Sequence, residues 1–265
     1  FNACFFNIKK SYNLEHFKNS MVSDKLVNFS PISLKEMDNV ALLKRVDTKF
    51  LTTEKKLLEI LEIISSEYQI LDINNKRLMK YSTLYFDTKD KMLYKHHHNG
   101  KGNRHKIRIR KYIDSNLCFL EVKKKNNAGV TNKFRCLIDD FENKLSPSSI
   151  KFIKKNTDSS CFLDPVLSNT FNRFTLVNKQ VPERVTIDTE IIFEADESSK
   201  KLEKIVVIEV KQEKGKENTA IYKALKMSRI PIVSFSKYCV GISNLTTSIK
   251  TNQFKEINLK INKMY

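Results

Sequence analysis

Glycine and proline are scarce in this chain, five of each among 265 residues. That excludes collagen-like and low-complexity polypeptides, which need a large share of one or both. No apolar run exceeds a handful of residues, so no segment has the length of a bilayer-spanning helix. Positions 1–20 mix Asn, Lys, Glu and His among their apolar residues and hold no clean signal-peptide core. The five cysteines (4, 118, 136, 161 and 239) are odd in number and scattered, with no CxxC pair. That argues against a disulfide frame or a zinc site and for reduced thiols in a cytoplasmic protein. Acidic residues are in deficit, 30 Asp and Glu against 48 Lys and Arg, a formal charge of +18. An anionic partner follows: nucleic acid, an acidic membrane surface or a phosphate-rich small substrate.

The composition is 40% hydrophobic and 29% charged, enough apolar side chain for a real core. The length allows one large domain or two small ones, and with neither repeat nor linker in view one α+β domain is expected. The chain starts at Phe1, and Met21 precedes the first well-patterned segment. Residues 1–29 are therefore expected to be an N-terminal extension, poorly ordered or upstream of the true start, with a folded domain at 30–245 and a tail at 246–265.

Ser30-Pro31 and Ser33 signal a short helix over about 33–43, and Thr53 caps another over about 54–67 with a stripe of Leu57, Leu58, Leu61 and Ile64. Strands are expected at about 45–51, 68–73, 80–87, 104–112, 117–125 and 130–139, the last three joined by hairpin turns. A helix over about 147–168, strands at about 171–178, 184–194 and 203–212, and a helix over 216–227 complete the pattern.

Within these strands the charges alternate. Arg45, Asp47 and Lys49 are two apart, as are Arg104, Lys106, Arg108 and Arg110. Glu121, Lys123 and Lys125 repeat the step, followed by Lys133 and Arg135, by Arg184, Thr186, Asp188 and Glu190, and by Glu209 and Lys211. Period two puts each set on one side of its strand. One such strand is usually a solvated face. Six, with acid and base mixed, point to a sheet whose ionic face lines an interior. An interior of Arg and Lys with a few Glu is a cage for a polyanion, and the Glu side chains suit a hard divalent cation held against phosphates.

The ordered series resembles the VTC domain, the polyphosphate polymerase branch of the triphosphate tunnel metalloenzymes. It runs from Arg45-x-Asp47-x-Lys49-Phe50 and Tyr81–Thr88 through Lys106–Arg110, Phe119–Lys123 and Lys133-Phe-Arg135. It continues in Asn172-Arg173-Phe174, Arg184–Asp188, Ile208–Lys211 and Ser236-Lys237-Tyr238. The related cyclase and thiamine triphosphatase branch opens with Glu-x-Glu-x-Lys, where this chain has Arg45-Val-Asp-Thr-Lys49. The resemblance implies a closed, antiparallel, eight-stranded β-barrel with flanking helices. It implies that Lys49, Arg108, Arg110, Lys123, Arg135, Arg173 and Lys237 form the catalytic phosphate cage. Arg45, Lys106, Lys133, Arg184, Lys211 and Tyr85 are expected to bind substrate, and Glu209 and Glu121 to hold Mn²⁺ or Mg²⁺. The implied reaction moves the γ-phosphate of ATP onto a polyphosphate chain; hydrolysis of tripolyphosphate or polyphosphate is the alternative on the same fold. Expected partners are ATP, inorganic polyphosphate or tripolyphosphate, with no specific nucleic acid and no transmembrane segment, and with association to a membrane partner protein.

Other motifs read more plainly. Glu121-Val-Lys123 and Glu209-Val-Lys211 match the E-x-K end of a Mg²⁺-dependent nuclease signature, which makes such an enzyme the rival of a different class. The basic residues are spread over many strands, which argues against a nucleic-acid recognition helix, and no RNP-type motif occurs. His96-His97-His98 reads as a solvated loop. Gly100-Lys101-Gly102 and Lys214-Gly215-Lys216 read as turns, because GxxxxGK[ST] is missing. Tyr81, Tyr85 and Phe86 read as packing.

Overall fold

The computed structural model describes residues 21–39, 45–157 and 162–264. Its elements run α1 (Met21–Leu26), β1 (Ser30–Ile32), α2 (Leu34–Asn39), β2 (Arg45–Thr53), α3 (Glu54–Ile64), β3 (Tyr68–Leu71), β4 (Met79–Asp87) and α4 (Met92–His98). Next come β5 (Arg104–Tyr112), β6 (Leu117–Lys125), β7 (Thr131–Ile138), α5 (Pro147–Asn156), β8 (Asp164–Asn178) and β9 (Glu183–Ala195). The chain closes with β10 (Ser198–Leu202), β11 (Ile205–Glu213), α6 (Ala220–Met227), α7 (Lys237–Leu245), a 3-10 turn at Asn252–Phe254 and α8 (Lys255–Asn262).

One 11-stranded sheet organises the molecule, with the order β2-β11-β9-β8-β4-β5-β6-β7 along its main path. Every pairing on that path is antiparallel, as expected. The expected closure into a barrel is not found: β2 and β7 end the path and do not pair with each other. The free edge of β2 is instead taken up by the segment before α7. There Ile232 bridges Phe50, and Val233 N–H donates to the Lys49 carbonyl at 2.8 Å.

Period two separates the two faces. On β11, Val206, Ile208 and Val210 pack in a core with Leu57, Ile60, Leu61 and Ile64 of α3 and with Ile221 and Leu225 of α6. On β5 and β6, Ile107, Ile109, Leu120 and Val122 pack with Ile153 of α5 and Leu93 of α4. A third cluster joins Phe171, Ile191 and Phe193 to Tyr238 and Ile242 of α7 and to Ile257 and Ile261 of α8. Each such side chain contributes about 1.5–3 kcal/mol on burial. The first two clusters back the sheet on the face away from the ions; the third, which includes Val207, Phe235 and Tyr238 of the cavity lining, lies on the ionic face.

Several local readings change. The α3 stripe uses Ile60 in place of Leu58, which is only partly buried, because positions 57, 60, 61 and 64 face the sheet. The helix read over 147–168 stops at Asn156, and β8 already begins at Asp164. Ser30-Pro31 form a strand parallel to β3 instead of opening a helix. The hairpin partner β10 and the helices α7 and α8 were not anticipated. The reading of 33–43 as one helix falls partly on residues 40–44, outside the described residues, as do residues 1–20, Cys4 and Cys161. Cys118, Cys136 and Cys239 are free thiols. No helix among the described residues is long and apolar enough to cross a membrane.

Candidate functional site

The inner, ionic face of the sheet surrounds a cavity of about 250 Å³. Among the described residues nine cations line it: Lys49, Lys106, Arg108, Arg110, Lys123, Lys133, Arg173, Lys211 and Lys237. Four carboxylates join them: Asp47, Glu121, Asp188 and Glu209. The excess of five positive charges is large for so small a space. Two like charges about 5 Å apart repel by roughly 3 kcal/mol at an effective dielectric of about 20.

One wall is largely compensated. Glu209 sits between Lys211 (3.1 Å) and Lys49 (3.8 Å). Burial pushes its carboxyl up, but Lys211, Lys49 and Arg173 outweigh this and hold it far below the usual carboxylate range. On neighbouring strands Arg173 clamps Asp188 with two bonds, Nε to Oδ1 at 2.5 Å and Nη2 to Oδ2 at 2.8 Å, and Lys237 adds a third. Burial again opposes ionisation, and Arg173 and Lys237 again prevail.

The opposite wall is short of acid. Arg108 meets Glu121 at 2.5 Å. Burial raises the Glu121 carboxyl, while Arg108 and Arg110 pull it down to about 2. Lys123 is held well below its ordinary value, first by Arg108 beside it and then by burial. Arg110 is 9% exposed, and its Nε has no hydrogen-bond partner among the described residues.

The segment 235–238 covers the open edge. The Phe235 carbonyl accepts from Lys49 Nζ at 2.8 Å. The Ser236 hydroxyl caps α7, accepting from Cys239 N–H at 3.3 Å, and also accepts from Lys106 Nζ at 2.9 Å. Tyr238 donates to Asp87, whose carboxylate also accepts the backbone N–H groups of Leu93 and Tyr94 at the start of α4. Burial brings Lys106 and Lys237 each down to about 8.

Beneath the cations lies an aromatic shelf. Tyr81 and Phe171 stack with centroids 5.2 Å apart and planes within 8°. Arg110 lies 5.7 Å from the Tyr81 ring centre and 5.9 Å from that of Phe171. Arg173 lies 5.3 and 5.2 Å from the same two rings, and Lys237 is 4.3 Å from Phe171. Period two puts Phe171 on the face of Arg173, and Phe171 stands directly opposite Tyr81 across β8 and β4; beside it β9 carries a bulge, where the register shifts between Thr170 and Asn172 and Glu190 takes a left-handed φ of 50°.

Of the expected residues, Lys49, Arg108, Arg110, Lys123, Arg173 and Lys237 share the cavity with Lys106, Lys133, Lys211, Tyr85, Glu209 and Glu121. Arg135 does not line it; its guanidinium lies over Phe119 at 5.0 Å on an exposed stretch of β7. Arg184 also leaves the site, donating to the Met37 carbonyl at 2.9 Å. Arg45 lies on β2, but its side chain is outside the described residues. Asp47, Asp188, Phe235, Ser236 and Tyr238 line the cavity without having been assigned to it. Asp47 and Asp188 stand in the alternating rows, and Ser236 and Tyr238 in the Ser236-Lys237-Tyr238 motif; nothing in the local pattern marks Phe235. His96, His97 and His98 lie on α4, half-buried and not in an open loop; burial, with Lys106 and Arg104, brings His97 down to about 2.

Among the described residues no group of three or more His, Cys, Asp or Glu comes together. Glu209 on β11 and Glu121 on β6 are separated by four strands of the sheet path and are engaged in separate ion pairs. The donor set does not form an all-protein cage. It does fit a divalent ion held by one or two carboxylates together with substrate phosphates, the usual mode for Mg²⁺. Glu209, strongly ionised and between two lysines that a phosphate would draw away, suits that role best.

The family model described as VTC domain matches residues 44–246. No curated protein matches the chain. Among solved structures, HpAC1 from Hippeastrum, described as revealing a dominant triphosphatase activity, is 15% identical, with a TM-score of 0.47, covering 77% of this chain and 97% of its own. A protein from Bacillus halodurans provisionally assigned as an adenylate cyclase is 15% identical, with a TM-score of 0.45 and coverages of 73% and 94%. A conserved hypothetical protein from Pyrococcus furiosus is 15% identical, with a TM-score of 0.43 and coverages of 74% and 99%. At these identities and scores the likeness speaks to neither substrate nor reaction.

Proposed function

The chain belongs to the VTC domain family, and on that premise we propose that it is a metal-dependent phosphoryl-transfer enzyme that moves the γ-phosphate of ATP onto a polyphosphate chain. The observation that carries this reading is the charge of the cavity: among the described residues, nine cations stand against four carboxylates, and the buried Arg110 Nε has no acceptor. A run of phosphates supplies both the negative charge and the acceptor oxygens.

Phosphoryl transfer asks little covalent chemistry of a protein. Its transition state spreads charge over the transferring oxygens, so positioning and preorganised positive charge do most of the work. Lys49, Lys211, Arg173 and Lys237 would orient the donor phosphates, while Arg108, Arg110 and Lys123 would hold the chain that receives the phosphoryl group. The aromatic shelf fixes Arg110, Arg173 and Lys237 without consuming their hydrogen-bond donors. Mn²⁺ or Mg²⁺, held by Glu209 with Glu121 as second candidate, would supply further charge neutralisation across the phosphate oxygens when bound.

The nuclease reading uses one E-x-K strand. Here Glu121, Lys123, Glu209 and Lys211 all line the same cavity, which favours a site that uses both strands. The test is incubation of purified protein with ATP and Mn²⁺ or Mg²⁺, with analysis of products. ADP and long polyphosphate are expected. Free phosphate in place of polyphosphate would assign hydrolysis, and metal-dependent cleavage of DNA that Lys123→Ala or Lys211→Ala removes would overturn the proposal.

A further inference from the structure

Asp87 ends β4 fully buried, and each hydrogen bond it accepts comes from a neutral donor. Oδ1 takes the backbone N–H groups of Thr88 at 2.7 Å and Leu93 at 2.8 Å. Oδ2 takes the N–H of Tyr94 at 2.9 Å and the hydroxyl of Tyr238. The bonds to Leu93 and Tyr94 serve the start of α4, where Lys91 stands at the cap position and makes no side-chain bond. An exposed Ser, Thr or Asn would do that at less cost than a buried carboxylate with neutral partners. The bond to Tyr238 is of another kind, since it reaches 151 residues along the chain to the first turn of α7.

Tyr238 is itself buried, with its ring 5.2 Å from that of Tyr85 and 6.4 Å from that of Tyr94. Burial, with Asp87 beside it, raises the hydroxyl well above its ordinary value, so it remains a donor. Three consecutive residues at this helix start thus have three separate anchors. Ser236 accepts from Lys106, Lys237 donates to Asp188, and Tyr238 donates to Asp87. Successive helix positions point about 100° apart, so together the anchors fix the rotation of α7. Two of them involve lysines of the cavity. A polyanion there competes with Ser236 for Lys106 and with Asp188 for Lys237. The bond between Asp87 and Tyr238 contains no cation, and a polyanion leaves it intact.

We propose that Asp87 and Tyr238 are positioning residues for Lys237: their bond holds α7 in place while Lys237 exchanges Asp188 for phosphate oxygens. The inference rests on the phosphoryl-transfer reading and adds to it two residues that act through Lys237.

The test is calorimetric titration of tripolyphosphate into the wild type, Tyr238→Phe, Lys237→Gln and the double variant, with Tyr94→Phe as control. The Tyr94 ring contacts that of Tyr238, and its hydroxyl donates to the Lys250 carbonyl at 2.9 Å. Tyr94→Phe therefore removes a comparable bond that does not lead to Lys237. Thermal unfolding measures the stability of each variant. Tyr238→Phe keeps the ring and is expected to weaken tripolyphosphate binding about fivefold, as the loss of one hydrogen bond allows. Tyr94→Phe changes affinity by less than about twofold even where Tm falls as far. In the Lys237→Gln background, Tyr238→Phe adds less than about twofold, because residues that act through one another are not additive. Asp87→Asn is expected to match Tyr238→Phe; if it does not fold, Tyr238→Phe alone decides. An unchanged affinity in Tyr238→Phe, equal losses in the two Tyr→Phe variants, or the full loss repeated in the Lys237→Gln background would overturn the positioning role and leave tripolyphosphate binding, and with it the function proposed above, intact. Failure of tripolyphosphate to bind the wild type would overturn both.

Discussion

Arg173 and Asp188 face each other across β8 and β9 in a two-bond pair, with Lys237 on the same carboxylate. One buried acid thus balances two buried cations. Removing it should leave both uncompensated. Asp188→Asn is expected to lose about 3–5 kcal/mol in the absence of ligand, the range for breaking a buried ion pair. Tripolyphosphate should restore more stability to this variant than to the wild type, because it supplies the missing negative charge. Denaturant unfolding with and without tripolyphosphate measures this; an equal ligand effect in the two proteins would contradict it.

The lysines set a pH dependence of definite sign. Lys106 and Lys237 are lowered to about 8 in the folded protein, against about 10.4 in the unfolded chain. Between these values the unfolded state binds more protons, so the empty protein should gain stability as pH rises from about 8 to 10. Below about 8 both lysines are charged and that gain is absent. Anion affinity should move the other way, falling as the lysines lose their charge. Titration of tripolyphosphate near pH 8 in buffers of different ionisation enthalpy should reveal proton uptake on binding. Proton release, or none, would place these lysines outside the site.

Much of this site was legible as period two. Lys49, Arg108, Arg110, Lys123, Glu209 and Lys211 could be assigned to one face because strand geometry leaves no other choice. The same rule misled at Arg135 and Arg184, which keep the spacing but lie where the curved sheet no longer surrounds the cavity. Closure was illegible: whether β7 meets β2 depends on what covers the β2 edge, and that is Ile232 and Val233, far along the chain. Ser236 and Phe235 act through a helix cap and a carbonyl, neither of which needs a distinctive side-chain pattern. The helix expected over 147–168 overruns the start of β8 because α5 has a strong Ser146-Pro147 start signal while its end at Asn156 carries no glycine.

The aromatic shelf yields a prediction about Phe171. Its ring lies under Arg110, Arg173 and Lys237. At about 0.5–1 kcal/mol per cation–π contact, Phe171→Leu should weaken tripolyphosphate binding roughly tenfold, and Phe171→Tyr should retain most of it. Equal affinity of Leu and Phe at this position would reduce the shelf to packing.

Glu209 separates metal from phosphate. Glu209→Gln releases Lys49 and Lys211 from their shared carboxylate. The variant should bind tripolyphosphate more tightly without metal, by about threefold to tenfold, and yet lose metal-dependent turnover while its far-UV spectrum is unchanged. Full turnover in this variant would move the metal elsewhere, with Glu121 the next candidate.

Recognition of phosphates by the cavity is measured by thermal unfolding against a ligand series. A ligand at about 100 times its Kd stabilises the folded state by roughly 2.7 kcal/mol, on the order of 2–4 °C or more in Tm for a chain of this size. Tripolyphosphate, and ATP with metal, should raise Tm by at least that much and AMP far less, in the order of phosphate count. The shifts should shrink in Arg108→Ala and Arg110→Ala. Equal shifts from AMP and tripolyphosphate would contradict the account, because the cations of the inner face would then be answering to something other than phosphate.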